Sequence, residues 1–181
     1  MNTWIALLKG INMVGKHKLP MKELVVLLEE LNARDVKTYR QSGNAVFRHR
    51  AKNAARLAKR ISAAVGKAYE FEPLVMLLET EKLARIIADN PFPEAEAEPG
   101  ALVVGFLTAV PEQPDGEALE KVRRKNERFA LRDDVFYFYA PEGFHKSKIG
   151  PWLKRSFSSV DGTGLTWSTL EKVMTIAKEM R

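Results

Sequence analysis

Apolar and polar positions along this chain alternate between two rhythms. Met21, Leu24, Val25, Leu28 and Leu31 follow the i, i+3, i+4, i+7 spacing of a helix face. They predict a helix over Pro20–Asn32, with Pro20 in the first turn, where a missing N–H costs nothing. Ala54, Leu57, Ala58, Ile61, Ala64, Val65 and Ala68 predict a second helix over Asn53–Ala68, its other positions carrying Lys52, Arg56, Lys59, Arg60 and Lys67. Shorter apolar runs read as strands at Thr3–Lys9, Asp35–Arg40, Ala45–Arg48 and Leu74–Leu78. Gln41–Asn44 reads as a turn, with Gly43 free to adopt positive φ. The resulting order, βαββαβ, is the ferredoxin-like one.

A third helix is expected over Glu81–Asp89, with Thr80 as its N-cap. Asn90-Pro91-Phe92-Pro93 ends it, because a residue before proline avoids the helical region, and Phe92 is expected to be buried there as a plug. Glu94–Gly100 is acidic and linker-like. The order then recurs: a strand at Ala101–Leu107, a helix at Gly116–Asn126, and a hairpin of Phe129–Leu131 and Val135–Tyr139. A helix at Lys148–Phe157 follows, then Leu165–Trp167 as a last strand or the lead into a terminal helix, Ser168–Met180. The expected fold class is α+β: two tandem ferredoxin-like halves packed as one unit, with an extra helix after each. The expected division is 1–92, an acidic linker at 93–100, and 101–181. Trp4–Leu8 is apolar on both faces, as are Leu102–Leu107 and Val135–Tyr139, whereas an open sheet shows one polar face. The second face must be covered by the other half, the extra helices or a second copy of the chain.

Several blocks carry a family resemblance. They are Trp4–Asn12, Gly15-Lys16, Lys18–Met21, Thr38-Tyr39 with Gln41–Asn44, Asn90–Phe92, Ser147-Lys148 and Trp167 with Thr169. Their types and order resemble the bacterial family called domain of unknown function 1697, across nearly the whole chain. The resemblance implies a tandem ferredoxin-like α+β protein and no particular reaction. The chain departs from the family's Thr-Arg-Asn-Trp-Asn-Thr block, having Leu165-Thr166 before Trp167 and Ser168 after it.

Composition narrows the chemistry. The 181 residues, 45% hydrophobic and 29% charged, are those of a globular protein and exclude a disordered one. With no cysteine there is no disulfide, thiol nucleophile or thiolate metal site. His17, His49 and His145 lack ligand spacing, so neither a metal nor a cofactor is expected. No apolar run approaches the ~18 residues of a membrane span, and no leader is visible, so a cytoplasmic location is expected. The net charge of +6 hides a strong pattern. Residues 1–70 hold 14 Lys and Arg against 5 Asp and Glu, and residues 71–120 hold 2 against 11. Residues 121–181 return to 13 against 7. Clustered cations attract polyanions, unless the acidic middle folds back on them.

Gly10–Lys16 fits the G-x-x-x-x-G-K spacing of a phosphate-binding loop. His17 stands where Ser or Thr would hold Mg²⁺, however, and the helix begins only near Pro20. In a ferredoxin-like sheet the end of the first strand lies beside the turn into the third. That gathers Lys9, Gly10, Asn12, Gly15, Lys16, Tyr39, Gln41, Ser42, Gly43 and Asn44 at one rim as a candidate anion cradle. The plainer reading is that Asn12 and Asn44 only satisfy loop backbone. His145, Lys146, Ser147 and Lys148 before a helix form a second candidate anion site, against the plainer reading that Ser147 caps the helix and the lysines are solvated. The aromatic run Val135–Tyr139 invites an RNA-stacking reading but fits a core strand better. The expected function is binding of an anionic ligand, either nucleic acid or a phosphorylated small molecule, with no catalytic constellation. The alternatives are an enzyme acting on a nucleotide or phosphorylated substrate at Gly10–Lys16, and a homodimeric assembly protein.

Overall fold

The computed structural model describes residues 1–98 and 100–180. Pro99, in the expected linker, and Arg181, at the end of the expected second half, lie outside the described residues. The chain is mixed α+β, with two four-stranded antiparallel sheets and six α-helices among the described residues. Packing divides it into two units, Met1–Ile87 with the C-terminal stretch from Lys172, and Ala88–Glu171.

In the first unit the order is β1 (Asn2–Lys9), α1 (Met21–Glu30), β2 (Arg34–Tyr39), β3 (Asn44–His49), α2 (Ala54–Tyr69), β4 (Leu74–Glu79) and α3 (Thr80–Ala88). The strands lie in the order β2-β3-β1-β4. Central β1 pairs antiparallel with both β3 and β4, setting Leu7 opposite Asn44 and Lys9 opposite Leu74. Trp4 through Leu8 are all buried, which is why the strand shows no polar alternation. Trp4, Ala6 and Leu8 pack with Leu24 and Leu28 of α1 and with Leu57, Ile61 and Val65 of α2. Asn53 caps α2 by accepting the Arg56 N–H at 2.8 Å. His49, also buried, accepts the Ala51 N–H on Nδ1 at 2.8 Å and faces the Leu31 carbonyl with Nε2 at 3.0 Å. Those partners assign it the neutral tautomer with the proton on Nε2.

Thr80 does not cap α3. β4 ends at Glu79 and the helix begins at Thr80 with no loop between, so Thr80 is already helical. Its hydroxyl is buried without a hydrogen-bond partner among the described residues.

The second unit contains β5 (Leu102–Leu107), α4 (Gly116–Val122), β6 (Arg128–Arg132), β7 (Val135–Tyr139), α5 (Ile149–Ser156), β8 (Gly162–Thr166) and the start of α6 (Trp167–Glu179). Its sheet runs β6-β7-β5-β8. Residues 162–166 thus form a true last strand, paired along β5. α4 stops at Val122, four residues before the predicted end, because Arg123 turns extended and donates to the Arg124 and Glu127 carbonyls. Within the acidic segment, Pro93–Ala97 is a 3-10 turn that buries Ala95. Phe92 is buried, 6.2 Å from the ring of Tyr139, and Arg128 lies 5.0 Å over both rings while pairing with Glu94. A cation between two rings, neutralised by a carboxylate, pins this segment to the hairpin.

Val135 through Phe138 are all buried, so β7 leaves none of these aromatics free to stack on a base. Burial pushes the Tyr137 phenol up to about 12, with Asp89 adding to the rise and Arg132 opposing it. Below the ordinary value of 10.0 both folded and unfolded chains hold that proton. Between that value and about 12 only the folded chain does, so stability is lost there, at up to about 1.4 kcal/mol per pH unit. Urea unfolding of wild type and Tyr137→Phe across the alkaline range should show a shallower decline in the variant. Parallel declines would contradict this account.

Candidate functional site

The rim forms where β1 runs out. Gly10, Asn12, Gly15 and His17 all take positive φ, folding residues 10–20 into a compact arm. Two backbone bonds close it: Lys16 N–H to Met13 O at 2.7 Å and Asn12 N–H to His17 O at 2.9 Å. The Asn12 side chain fastens its base. Its Nδ2 donates to Leu19 O at 2.9 Å and Gln41 O at 2.7 Å, and its Oδ1 accepts the Leu19 N–H at 2.8 Å. His17 Nδ1 donates to Gly10 O at 2.9 Å, and its ring stacks on Phe71 at 4.5 Å. Phe71 in turn lies against Tyr69, whose phenol is raised by burial and then by the Glu23 carboxylate.

The β2–β3 turn meets this arm. Gly43 packs so closely that a Cβ would stand 2.5 Å from Ile11 Cδ1 and 2.9 Å from Leu8 Cβ, at φ +81. Ser42 Oγ accepts from Asn44 Nδ2 at 2.9 Å, and Asn44 is buried. The Arg40 guanidinium covers the Tyr39 ring at 5.4 Å. The structure therefore gathers the predicted rim residues but commits the Asn12 and Asn44 side chains to holding it together. Lys16, Lys18, Gln41 and Ser42 remain exposed. A depression of about 370 Å³ lies among Asn12, Met13, Gly15, Lys18, Pro20 and Gln41. The Lys16 N–H is spent on the Met13 turn, and α1 begins only at Met21, so helix N–H groups do not line Gly10–Lys16. Sequence reasoning misses His17 and Phe71 as the side support of the arm, since nothing in the chain signals a stack between loop residues so far apart.

The second candidate anion site has a different character. Ser147 Oγ accepts the Ile149 N–H at 3.1 Å and donates to Glu127 Oε2 at 3.0 Å. Glu127 is buried and also accepts the Arg124 N–H at 2.8 Å. Arg124 is further held by Glu142 and by the Lys146 carbonyl. His145 folds back over Gly143, while His145, Lys146 and Lys148 are exposed. A carboxylate at hydrogen-bonding distance from Ser147 works against a phosphate at the same hydroxyl. In sequence Glu127 sits in a run of Arg, Lys and Asn that reads as a solvated face.

The strongest cationic feature lies on α2. Arg56, Lys59, Arg60 and Lys67 are exposed, and none makes an ion pair among the described residues. The helix contains no acidic residue. In the acidic segment Glu94 pairs with Arg128, and Glu96 with Asn90, both within the second unit. Among the described residues no group of three or more His, Asp or Glu converges as a metal site, and no helix is long and apolar enough to cross a membrane.

A family model described as protein of unknown function (DUF1697) matches residues 1–137. Among solved structures, that of a conserved bacterial protein from Streptococcus pneumoniae matches with a TM-score of 0.73 at 20% identity. The match covers 97% of this chain and 98% of that one, and identity at this level shows a shared fold alone. No curated protein matches the chain.

Two expectations follow. Gly43→Ala should cost about 2–3 kcal/mol, from overpacking against Ile11 and Leu8 plus left-handed backbone strain, as read by denaturant midpoint. A cost near zero would mean that the arm yields freely. Magnesium-dependent hydrolysis of ATP or GTP should stay at background in wild type and Lys16→Ala alike. An activity lost in the variant would make Gly10–Lys16 a nucleotide site.

Proposed function

The chain belongs to the family of proteins of unknown function DUF1697, and from that premise we propose that it binds nucleic acid through the exposed face of α2 and the neighbouring arm. The observation that carries this is the cation row Arg56, Lys59, Arg60 and Lys67, exposed and without an ion pair among the described residues, on a helix without acidic residues. Leu57, Ile61 and Val65 are buried, so the 3.6-residue period turns the intervening basic residues outward as one stripe. From Arg56 to Lys67 the stripe runs about 17 Å along the helix axis. A line of charge on a convex surface suits a linear polyanion, whereas a small phosphorylated ligand needs a concave site. The depression beside Asn12 and that of about 400 Å³ near Asn2, Glu79 and Thr80 are lined by none of these four cations.

Two finer readings go with this one. Each half is read as a ferredoxin-like fold in tandem, supported by the matching orders β2-β3-β1-β4 and β6-β7-β5-β8. A cytoplasmic location is supported by the absence of cysteine.

The test is the salt dependence of binding to a labelled duplex, followed by fluorescence anisotropy. Each phosphate contact contributes roughly 0.7 to 0.9 to the log–log slope of affinity against salt. Replacing Arg56, Lys59 and Arg60 together by Gln should flatten the slope by about two to three. The melt should stay nearly unchanged, because these side chains face solvent. A wild type that binds neither single- nor double-stranded oligonucleotides at low salt would refute the reading.

A further inference from the structure

The tip of the arm, Met13-Val14, is apolar and stands out in water. Met13 is 64% exposed and Val14 102%, two adjacent members of a small set of exposed large hydrophobic residues. Hydrogen bonds and a ring stack hold the backbone around them. The Met13–Lys16 turn closes on itself, Asn12 fastens the base with three side-chain bonds, and His17 is stacked on Phe71 just past the end of α2. Ordering an apolar pair in solvent gains nothing for folding, whereas a pre-set tip lowers the cost of entering a partner. Lys16 and Lys18 flank the tip, exposed and without an ion pair among the described residues. The contact through Phe71 sets this end of the arm beside the C-terminal end of the helix that carries the cation stripe.

We propose that Met13-Val14 is an aliphatic wedge that enters a base step of duplex DNA while Lys16 and Lys18 hold the adjoining phosphates. The proposal rests on the nucleic-acid reading of α2 and deepens it by naming a duplex as the ligand. The shape of the tip favours that choice. Single strands are gripped by aromatic platforms, whereas Phe136, Tyr137 and Phe138 of β7 are buried and the half-buried Tyr139 ring is covered by Arg128. Proteins that kink a duplex instead push aliphatic side chains such as Met or Leu between base pairs, flanked by cations on the backbone. An anionic membrane is the other surface that takes an apolar tip with a basic collar. Two side chains give little depth of insertion, and a 17 Å row of charge, by the estimate of about 1.5 Å per helical residue, matches a groove edge better than a plane.

The experiment uses the full chain and a duplex of about 20 base pairs labelled at both ends for energy transfer. Wild type should raise transfer on binding, as a kink of roughly 20–90° shortens the end-to-end distance. Met13→Ser/Val14→Ser should bind with the same salt slope, because no charge changes, and leave the duplex straight. Its melt should match wild type, since both side chains are exposed. Three results overturn the wedge: wild type binding without added transfer, the double variant bending as wild type does, or the double variant losing only co-sedimentation with phosphatidylserine vesicles. Complete failure of wild type to bind the duplex refutes the α2 reading itself, and so is told apart from failure of the wedge alone.

Discussion

The burial of Leu57, Ile61 and Val65 against the first sheet is the constraint on which the rest of the account depends. Each such side chain contributes roughly 1.5–3 kcal/mol, while a pair of charges on a helix surface contributes only a few tenths. The apolar stripe therefore sets the rotation of α2, and its cations take the directions left over. Those directions form one solvent-facing row. Polar contacts refine the helix ends: Asn53 caps the first turn, and Glu70 ends the last in a left-handed conformation.

A second constraint acts at the end of β1. The strand is central and buried, so the chain must leave it sharply, and it does so through four positive-φ residues, two of them not glycine. Such backbone is costly unless side chains compensate. Asn12 supplies a bond acceptor and two donors, His17 a carbonyl contact and a ring stack, and Gly43 the space that lets Ile11 sit down. The most conspicuous polar residues of the rim are thereby structural. What projects from it is the pair Met13-Val14 with its lysines.

The order of elements is legible in the chain because helix and strand periods differ and because Pro20, Gly43 and Asn53 mark boundaries with local chemistry. The row on α2 is legible for the same reason, since its apolar spacing alone places the basic residues outside. The departures come from tertiary partners. Thr80 looks like a cap only if a loop precedes it, and β4 leaves none. Ser147 reads as a helix cap beside two lysines, and nothing near it in sequence announces that Glu127, twenty residues away, accepts its hydroxyl. Arg128 carries no local mark of Phe92 and Tyr139, whose rings its guanidinium covers. Local spacing carries no information on which distant carboxylate or ring will arrive.

The most direct measurement of the central claim is a backbone amide NMR titration of the whole protein with a short DNA duplex at low salt. Shift changes should concentrate on Arg56–Lys67 and on Met13–Lys18, with the corner around Ser147 and Glu127 unmoved. Changes confined to that second corner, or an unchanged spectrum at saturating duplex, would contradict it.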